Sequence, residues 1–248
     1  MSSPSRSQNP VALITGSAKR IGARLALGLA QRGYDIALHY HRSQSHAEDW
    51  KRKICSETGQ KCILFQADLT NDSRVSELIP SVFKQFQRLD LLVNSASQYY
   101  PKDYLAFSHS DWVACFDLHI KTPFFLSQAF IQLCRQTQSN GHIINITDAT
   151  SLDIQHEFTM YNISKSALNQ LTRSLAKLAA PRIRVNAIAP GWILAPIHGV
   201  EEDEQEVIQD IPLRHKGNPD HILRALYYLL DNDYVTGEVL MVDGGRHL

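Results

Sequence analysis

The 248 residues are enough for one large domain or two small ones, and a hydrophobic fraction of 44% is typical of a globular protein. Lys and Arg number 25, as do Asp and Glu, so no net charge is available to attract nucleic acid or an anionic membrane surface. The four cysteines form no C-x-x-C pair and no zinc-site spacing, which predicts unpaired thiols in a reducing cytoplasm and no metal site.

The N-terminal segment, residues 1–9, lacks the apolar region of a secretory signal and is expected to be a disordered tail. No apolar run in the sequence is long enough to cross a bilayer. We therefore expect a cytoplasmic protein without a membrane partner, in which residues 10–248 form a single domain.

The first predicted strand and helix resemble a phosphate-binding unit. Val11–Thr15 is apolar, the turn Gly16–Gly22 follows, and a helical pattern stops at Gly33. Strand, glycine turn and helix are typical of the βα unit that places a pyrophosphate at a helix N-terminus. Two glycines can also mark an ordinary turn, but Arg20 between them adds a charge that favours a phosphorylated ligand.

The second predicted strand, Tyr34–Tyr40, is followed by residues suited to a 2′-phosphate. Dinucleotide folds that bind NAD(H) have an acidic residue here for the ribose hydroxyl, whereas this chain has His41, Arg42 and Ser43. A cation with neighbouring donors suits a phosphate, so NADP(H) is predicted. His39 and His41 alternate along the strand, but no third ligand accompanies them, so we expect no metal.

The loops after the third and fourth predicted strands, Lys61–Gln66 and Leu89–Val93, supply the next candidates. Asp68 can accept a hydrogen bond from an adenine amino group or cap the following helix, and both roles remain open. Small residues from Asn94 onward allow a cofactor ring to approach, and Tyr99 offers a flat face for an aromatic substrate. The alternative is an ordinary loop that contains a tyrosine.

A single long helix is predicted over Trp112–Arg135, and His119 within it is given a structural role. The apolar residues expected to face largely inward are Val113, Phe116, Phe124, Phe125, Phe130, Ile131 and Leu133.

The strongest chemical signal lies between the predicted strand Gly141–Thr147 and the helix that follows it. Tyr161 and Lys165 are four residues apart and share a helix face. Asp148 stands just past the strand, where open α/β sheets bind ligands. A phenol, an ammonium and a carboxyl group form a proton-handling arrangement, in which lysine is expected to lower the tyrosine pKa. Such a pair also occurs by chance, so the other motifs must support the interpretation.

The remaining elements complete an alternating βα pattern. A strand over Arg182–Ile188 leads to Pro190-Gly191, and a final strand lies within Val235–Gly245. The acidic run Glu201–Glu206 is expected to begin a helix, either in a substrate lid near residues 193–215 or on a solvated surface. The fold class is therefore α/β, a Rossmann-like doubly wound parallel sheet with helices on both faces.

Over nearly its whole length the chain resembles the short-chain dehydrogenase/reductase family. The motifs that carry the resemblance are Thr15-Gly16-x3-Arg20-x-Gly22, Asn94-Ser-Ala-Ser97, Tyr161-x3-Lys165, Pro190-Gly191 and Val242-Asp-Gly-Gly245. The chain departs from the family at Asp148, thirteen residues before Tyr161, where a serine is usual, and at Arg20, which replaces the central glycine of the turn. With the loops His39–Ser43 and Asn94–Pro101, these departures resemble the pteridine reductase subgroup and its bacterial relatives that reduce dihydromonapterin. His119 also replaces a helical asparagine that is common in the wider family.

The resemblance implies a homotetramer that uses NADP(H) to reduce a dihydropterin, with dihydrofolate as a further substrate. It implies that Tyr161 supplies or relays the proton and that Lys165 holds the nicotinamide ribose, with Asp148 at the pterin edge. The implied substrate-binding residues are Arg20, Ser97, Tyr99, Asp148 and Tyr161. The implied cofactor-binding residues are Gly16, Arg20, Ile21, Tyr40, His41, Arg42, Ser43, Ala67, Asp68, Leu69, Asn94, Ala96, Ser97, Thr147, Tyr161, Lys165, Pro190, Gly191, Trp192 and Ile193.

The chemistry of Asp148 is independent of the resemblance. An ionised carboxylate cannot donate to a carbonyl oxygen that gains charge, but it accepts hydrogen bonds from the N–H groups of a heterocycle. If it holds a proton instead, it acts as an acid, and either role suits C=N reduction. The alternatives are a carbonyl or 3-ketoacyl reductase, which Asp148 and Tyr99 argue against, and a non-catalytic NADP-binding sensor, which retention of Tyr161 and Lys165 argues against.

Overall fold

The computed structural model of the chain describes residues 7–99, 101–152, 156–195 and 204–248. Within them, seven parallel strands form one sheet in the order β3-β2-β1-β4-β5-β6-β7. The strands are β1 (Val11–Ile14), β2 (Asp35–Tyr40), β3 (Cys62–Gln66), β4 (Leu91–Asn94), β5 (Gly141–Ile146), β6 (Ile183–Pro190) and β7 (Val239–Val242).

Helices connect the strands and cover both faces of the sheet. They are α1 (Arg20–Gln31), α2 (Gln44–Thr58), α3 (Asp72–Phe86), α4 (His109–Phe116), α5 (Thr122–Thr137), α6 (Thr159–Ala179), α7 (Glu204–Asp210) and α8 (Pro219–Asp231). A π-helical segment, Asp117–Lys121, joins α4 to α5, and short 3-10 turns cover Ala149–Leu152 and His156–Phe158. None of the described helices has the length and hydropathy needed to cross a membrane.

The two faces of the sheet have separate cores, which explains why the strands are almost continuously apolar. Alternate residues of β1 point to opposite faces, so Ala12 and Ile14 pack in one cluster and Val11 and Leu13 in the other. The first cluster includes Leu25 of α1. The predicted α/β doubly wound parallel sheet is confirmed.

The sheet topology fixes the place of the functional cleft. From β1, the next two strands along the chain lie on one side, and β4 lies on the other. The connections at the carboxyl ends of β1 and β4 therefore diverge, and a crevice opens between them, which is where such sheets bind ligands. The loops after β1, β4 and β5 all meet there.

The prediction of one helix over Trp112–Arg135 is wrong, because the π-helical segment separates α4 from α5. An extra residue in a helical turn shifts the apolar positions around the axis. Phe124 and Phe125, which follow the segment and were expected to face inward, are accordingly exposed, at 42% and 47%. Val113, which precedes the segment and was also expected to face inward, is exposed at 53%.

Two further segments concern the predicted tail and the predicted lid. Ser7, assigned by composition to a disordered tail, donates from its backbone nitrogen to Phe86 O at 2.8 Å and from Oγ to Asp35 Oδ2 at 2.6 Å. Of the predicted lid, residues 196–203 lie outside the described residues, and the acidic run continues from Glu204 as the first turn of α7.

Candidate active site

Asp148 and Tyr161 form a hydrogen-bonded pair at the carboxyl end of β5. Tyr161 lies in the first turn of α6, and its hydroxyl donates to Asp148 Oδ2 at 2.7 Å. The other carboxyl oxygen, Oδ1, accepts from the backbone nitrogen of Thr150 at 2.9 Å and from its Oγ1 at 2.7 Å. The structure therefore brings together the Asp148 carboxyl group and the Tyr161 hydroxyl, as the sequence predicts. The short turn after β5 holds the carboxyl group through the oxygen that does not contact Tyr161.

The expected effect of Lys165 on Tyr161 is not what the structure shows. Burial raises the pKa of Tyr161 well above 10, and the adjacent Asp148 charge and the hydrogen bond to it raise it further, whereas a hydrogen bond from Ser97 opposes them. Lys165 Nζ lies 5.5 Å from the centre of the Tyr161 ring and donates to Ile146 O at 2.9 Å. The prediction of a lowered tyrosine pKa is wrong, because the carboxylate, not the ammonium, contacts the hydroxyl.

The buried position of Lys165 changes its own pKa. It is almost fully buried, and this burial lowers its pKa to about 8, with Asp148 acting in the opposite direction. The group still carries a proton at neutral pH, and it is held against the end of β5 by its bond to the Ile146 carbonyl.

His119 lies beside the same pair in the π-helical segment. Its Nε2 is 3.1 Å from Ser97 Oγ and 3.2 Å from the backbone nitrogen of Gln98, and its Nδ1 is 2.9 Å from Ser164 Oγ. The ring meets the Tyr161 ring edge to face, with centroids 5.4 Å apart. The helical pattern predicted a structural role for this histidine, and the structure shows that it connects the loop after β4 to α6.

Tyr99 belongs to an aromatic cluster with a partner that the sequence analysis missed. Its ring is stacked on Phe158 at a centroid distance of 4.3 Å and an angle of 6°, and it meets Tyr161 edge to face at 4.8 Å. Phe158 precedes Tyr161 by three residues, about one helical turn, which is the signal that could have revealed it. Phe158 therefore covers one face of the Tyr99 ring, and the ring adjoins that of Tyr161.

The glycine turn after β1 lies very close to the backbone of the loop after β4. Gly16 has a φ of +66°, and a Cβ at this position would lie 2.8 Å from Ala96 Cα in the loop after β4. A Cβ on Gly22 would lie 2.6 Å from Gly16 O. Thr15 Oγ1 accepts from the backbone nitrogens of Ser95 and Ala96, at 2.9 and 3.1 Å. The turn and the loop after β4 are therefore held together at the crevice.

Arg20 begins α1 with a φ of +54°, a conformation that favours glycine. Its Nη2 donates to Leu194 O at 3.1 Å and Ala195 O at 2.9 Å, across the crevice. The side chain therefore reaches from the start of α1 to the segment after β6.

The residues predicted to hold the adenosine end divide into exposed and buried groups. His41 and Arg42 are exposed at the end of β2, whereas Tyr40 packs into the core. Asp68 accepts from Thr70 and has its Oδ2 3.5 Å from His41 Nε2. Its predicted alternative role as a helix cap is wrong, because Asn71 caps α3 through Ser73 and Arg74.

The other predicted cofactor residues lie near the carboxyl ends of the strands or in the core beneath them. Ile21, Ala67, Leu69, Thr147 and Ile193 pack in or against the core, and Pro190 ends β6. Gly191 donates to Val242 O at 3.0 Å. Asn94 Oδ1 and Trp192 Nε1 are buried atoms without a hydrogen-bond partner among the described residues. No cluster of three or more His, Cys, Asp or Glu side chains suited to a metal occurs in the described part of the chain.

Comparison with known proteins agrees with this geometry. Residues 16–247 match the model of a protein family described as enoyl-(acyl carrier protein) reductase. The chain belongs to the short-chain dehydrogenase/reductase family. The resemblance inferred from the sequence motifs is thereby confirmed at the level of this oxidoreductase family.

Individual members of the short-chain dehydrogenase/reductase family are similar over almost the whole chain. Pteridine reductase 1 of Leishmania tarentolae is 31% identical over 279 residues, covering 96% of each chain. A 3-oxoacyl-[acyl-carrier-protein] reductase of Synechocystis is 31% identical over 239 residues, covering 95% of this chain and 96% of its own. The crystal structure of FolM alternative dihydrofolate reductase 1 from Brucella suis in complex with NADP is 32% identical with a TM-score of 0.86, covering 96% of this chain and 95% of that chain.

Proposed function

We propose that the protein is an NADPH-dependent reductase of dihydropterins, with dihydrofolate as a further candidate substrate. One observation carries the proposal: a carboxyl group, Asp148, is hydrogen-bonded to the Tyr161 hydroxyl at 2.7 Å, where the family usually has a serine. The pteridine reductase of Leishmania and the FolM structure from Brucella are relatives that support it.

The crevice has groups that fit NADP(H). Exposed His41 and Arg42 suit the 2′-phosphate, and the start of α1 beside Gly16 suits the pyrophosphate. Asn94, at the end of β4, and Trp192, two residues after β6, each have a buried polar atom without a partner among the described residues, as expected of groups that contact a polar ligand. When bound, this cofactor supplies a hydride.

Tyr161 acts as the acid. Because its pKa is raised well above 10, the phenol keeps its proton at neutral pH. The proton goes from Tyr161 Oη to the ring nitrogen beside the carbon that is reduced, so an O–H bond breaks and an N–H bond forms. The protonated Lys165, 5.5 Å from the ring, favours the negative oxygen that remains.

Asp148 binds and orients the substrate. Its carboxylate offers about four lone-pair positions, and three accept hydrogen bonds from Thr150 and Tyr161 among the described residues. The remaining position, on Oδ2 next to the phenol, accepts from a ring or amino N–H of a pterin. A ketone offers no such donor, and its developing oxyanion would be repelled.

Parallel assays of NADPH oxidation test the substrate class. We expect turnover with dihydrobiopterin or dihydromonapterin, weaker turnover with dihydrofolate, and little with a ketoacyl thioester. Turnover of the thioester alone would refute the pterin proposal and favour an oxoacyl reductase like the Synechocystis relative.

The cofactor assignment depends on Arg42. Removing its charge by Arg42→Ala should raise the Kd for NADPH about tenfold to a hundredfold and leave NADH binding unchanged, because charge-assisted bonds to a phosphate are lost. The matched control is Arg52→Ala, which removes another exposed arginine, in α2, that pairs with Asp49. Equal loss in both variants, or equal use of NADH and NADPH by the wild type, would contradict the assignment.

We also propose that the chain is a cytoplasmic homotetramer with contacts on α4–α6. Several large apolar side chains on these helices are exposed, namely Trp112, Val113, Phe124, Phe125 and Ile163. Exposed apolar patches of this kind mark protein contacts. Light scattering should give four times the 28.0 kDa chain mass, and Phe125→Glu should reduce it. A monomeric wild type would refute this part.

A further inference from the structure

The buried His119 holds a single tautomer, and its partners decide which one. The Gln98 backbone N–H can only donate, so Nε2 is the acceptor at that end. Ser164 Oγ gives its one hydrogen to Tyr161 O at 2.7 Å, so it accepts from Nδ1–H. Both ends therefore require the neutral ring with its proton on Nδ1.

Its surroundings keep the ring neutral. Burial lowers the pKa of His119 well below 6.5, and the charge of Lys165 lowers it further. Only 1% of the residue is exposed. The lone pair on Nε2 is therefore fixed in direction, towards the loop after β4.

The Ser97 hydroxyl lies between the His119 Nε2 lone pair and the Tyr161 phenol. Its Oγ is 3.1 Å from His119 Nε2, and its side chain is also close enough to the Tyr161 hydroxyl to lower the pKa of Tyr161. The Ser97 hydroxyl has one hydrogen, which it can donate either to His119 Nε2 or to the Tyr161 oxygen. The Tyr161 hydrogen is directed at Asp148. Nε2 is shared with the Gln98 N–H, so it is a weakened acceptor for Ser97.

We propose that His119 is a positioning residue that ties the Ser97–Gln98 loop to α6, and so places the Ser97 hydroxyl to donate to the Tyr161 oxygen once that oxygen has lost its proton. The hydrogen stays covalently bound to Ser97 and only changes its acceptor. A negative oxygen is a stronger acceptor than a shared imidazole nitrogen. The Ser97 hydrogen therefore turns from His119 Nε2 to the Tyr161 oxygen when that oxygen becomes negative. The inference rests on the proposed role of Tyr161 as acid, but not on the identity of the substrate.

A double-mutant cycle tests this coupling. His119→Phe keeps a ring and removes the hydrogen bonds to Ser97, Gln98 and Ser164, and Ser97→Ala removes the donor. Each should lower kcat about tenfold, the worth of one hydrogen bond to a charged oxygen, and His119→Phe should leave the KM for NADPH unchanged. If His119 acts through Ser97, the double variant is no slower than Ser97→Ala alone. Losses that multiply would overturn the proposal.

A conservative variant separates positioning from a merely structural role. His119→Gln places an oxygen near the Nε2 position, where it can accept from Gln98 and Ser97, so it should recover kcat to within about threefold of the wild type. If it is as slow as His119→Phe while urea unfolding shows it to be equally stable as the wild type, the proposal is wrong.

The tautomer is measurable without any substrate. In wild-type protein with 15N-labelled histidine, NMR at neutral pH should show the His119 proton on Nδ1, and a proton on Nε2 would overturn the inference. The cycle uses whichever substrate the wild type reduces. A wild type that reduces only a ketoacyl thioester therefore refutes the pterin proposal and still gives the coupling between His119 and Ser97.

Discussion

The two ends of the cleft each contain a buried histidine, and the two differ in what they contact. At the nucleotide end, His39 accepts from the Gly16 backbone nitrogen at Nδ1, 3.0 Å away, and its Nε2 is 3.1 Å from Ala67 O. At the catalytic end, His119 accepts at Nε2 and donates from Nδ1. The rings are therefore neutral in opposite tautomers, because each must accept from a backbone N–H.

The difference lies in the second partner. His39 joins two backbone segments, so it shapes the glycine turn. His119 contacts two hydroxyls, of Ser97 and Ser164, and one of them reaches the phenol. A buried neutral histidine that accepts from a backbone N–H thus supports cofactor binding and stability at the nucleotide end, and the proton-transfer step at the catalytic end. Changes at the two ends should accordingly appear in different measurements.

The largest expected effect is at the catalytic end. Tyr161→Phe removes the acid and should lower kcat by about a thousandfold, within the range for general acid catalysis, while the Kd for NADPH changes little. Steady-state kinetics and fluorescence titration of NADPH check both. Retention of more than a tenth of kcat would mean that another group delivers the proton.

Acid should weaken the nucleotide end. Burial lowers the pKa of His39 from 6.5 to about 4, so the unfolded chain takes up this proton first as the pH falls. The stabilisation is complete above pH 6.5 and is lost between 6.5 and 4, on the order of 3 kcal/mol for His39. His142, lowered to about 3 by burial, adds to the same slope. Urea unfolding at pH 7.5, 6 and 5 measures it, with His39→Asn as the variant whose slope should be shallower. Parallel curves would contradict the role of His39.

At neutral pH, His39→Asn should cost about 2 kcal/mol of unfolding free energy, because the bond to Ala67 O is lost in a buried place. NADPH should bind more weakly, and kcat at saturating cofactor should stay close to the wild type. A variant that loses kcat but not NADPH affinity would remove the distinction between the two ends.

Arg20→Gly should have the smallest effect on stability, less than about 1 kcal/mol, because relief of the positive φ offsets the lower chain entropy of arginine. NADPH affinity should nevertheless fall, since the positive charge beside the glycine turn is lost. Unfolding and titration together check this, and a large destabilisation would show that the bonds to Leu194 and Ala195 hold the crevice together.

Much of the site could be predicted from residue order, because parallel strands bring their carboxyl ends to one edge. That argument placed Asp148 and Tyr161 together, and they are in contact. It could not give the direction of the Tyr161 pKa, which depends on whether the hydroxyl contacts the carboxylate or the ammonium, a matter of a few ångströms. Nor could it show the π-helical segment that turns His119 inward, since helical periodicity assumes an unbroken phase.

Asp148→Ser tests the central claim most directly, because it restores the residue usual in the family. The measurement is the ratio of kcat/KM for dihydrobiopterin to kcat/KM for a ketoacyl thioester, in wild type and variant. We predict that the ratio falls by about a hundredfold, because the acceptor for the pterin N–H is lost and a donor for a carbonyl oxygen is gained. An unchanged ratio would contradict the account.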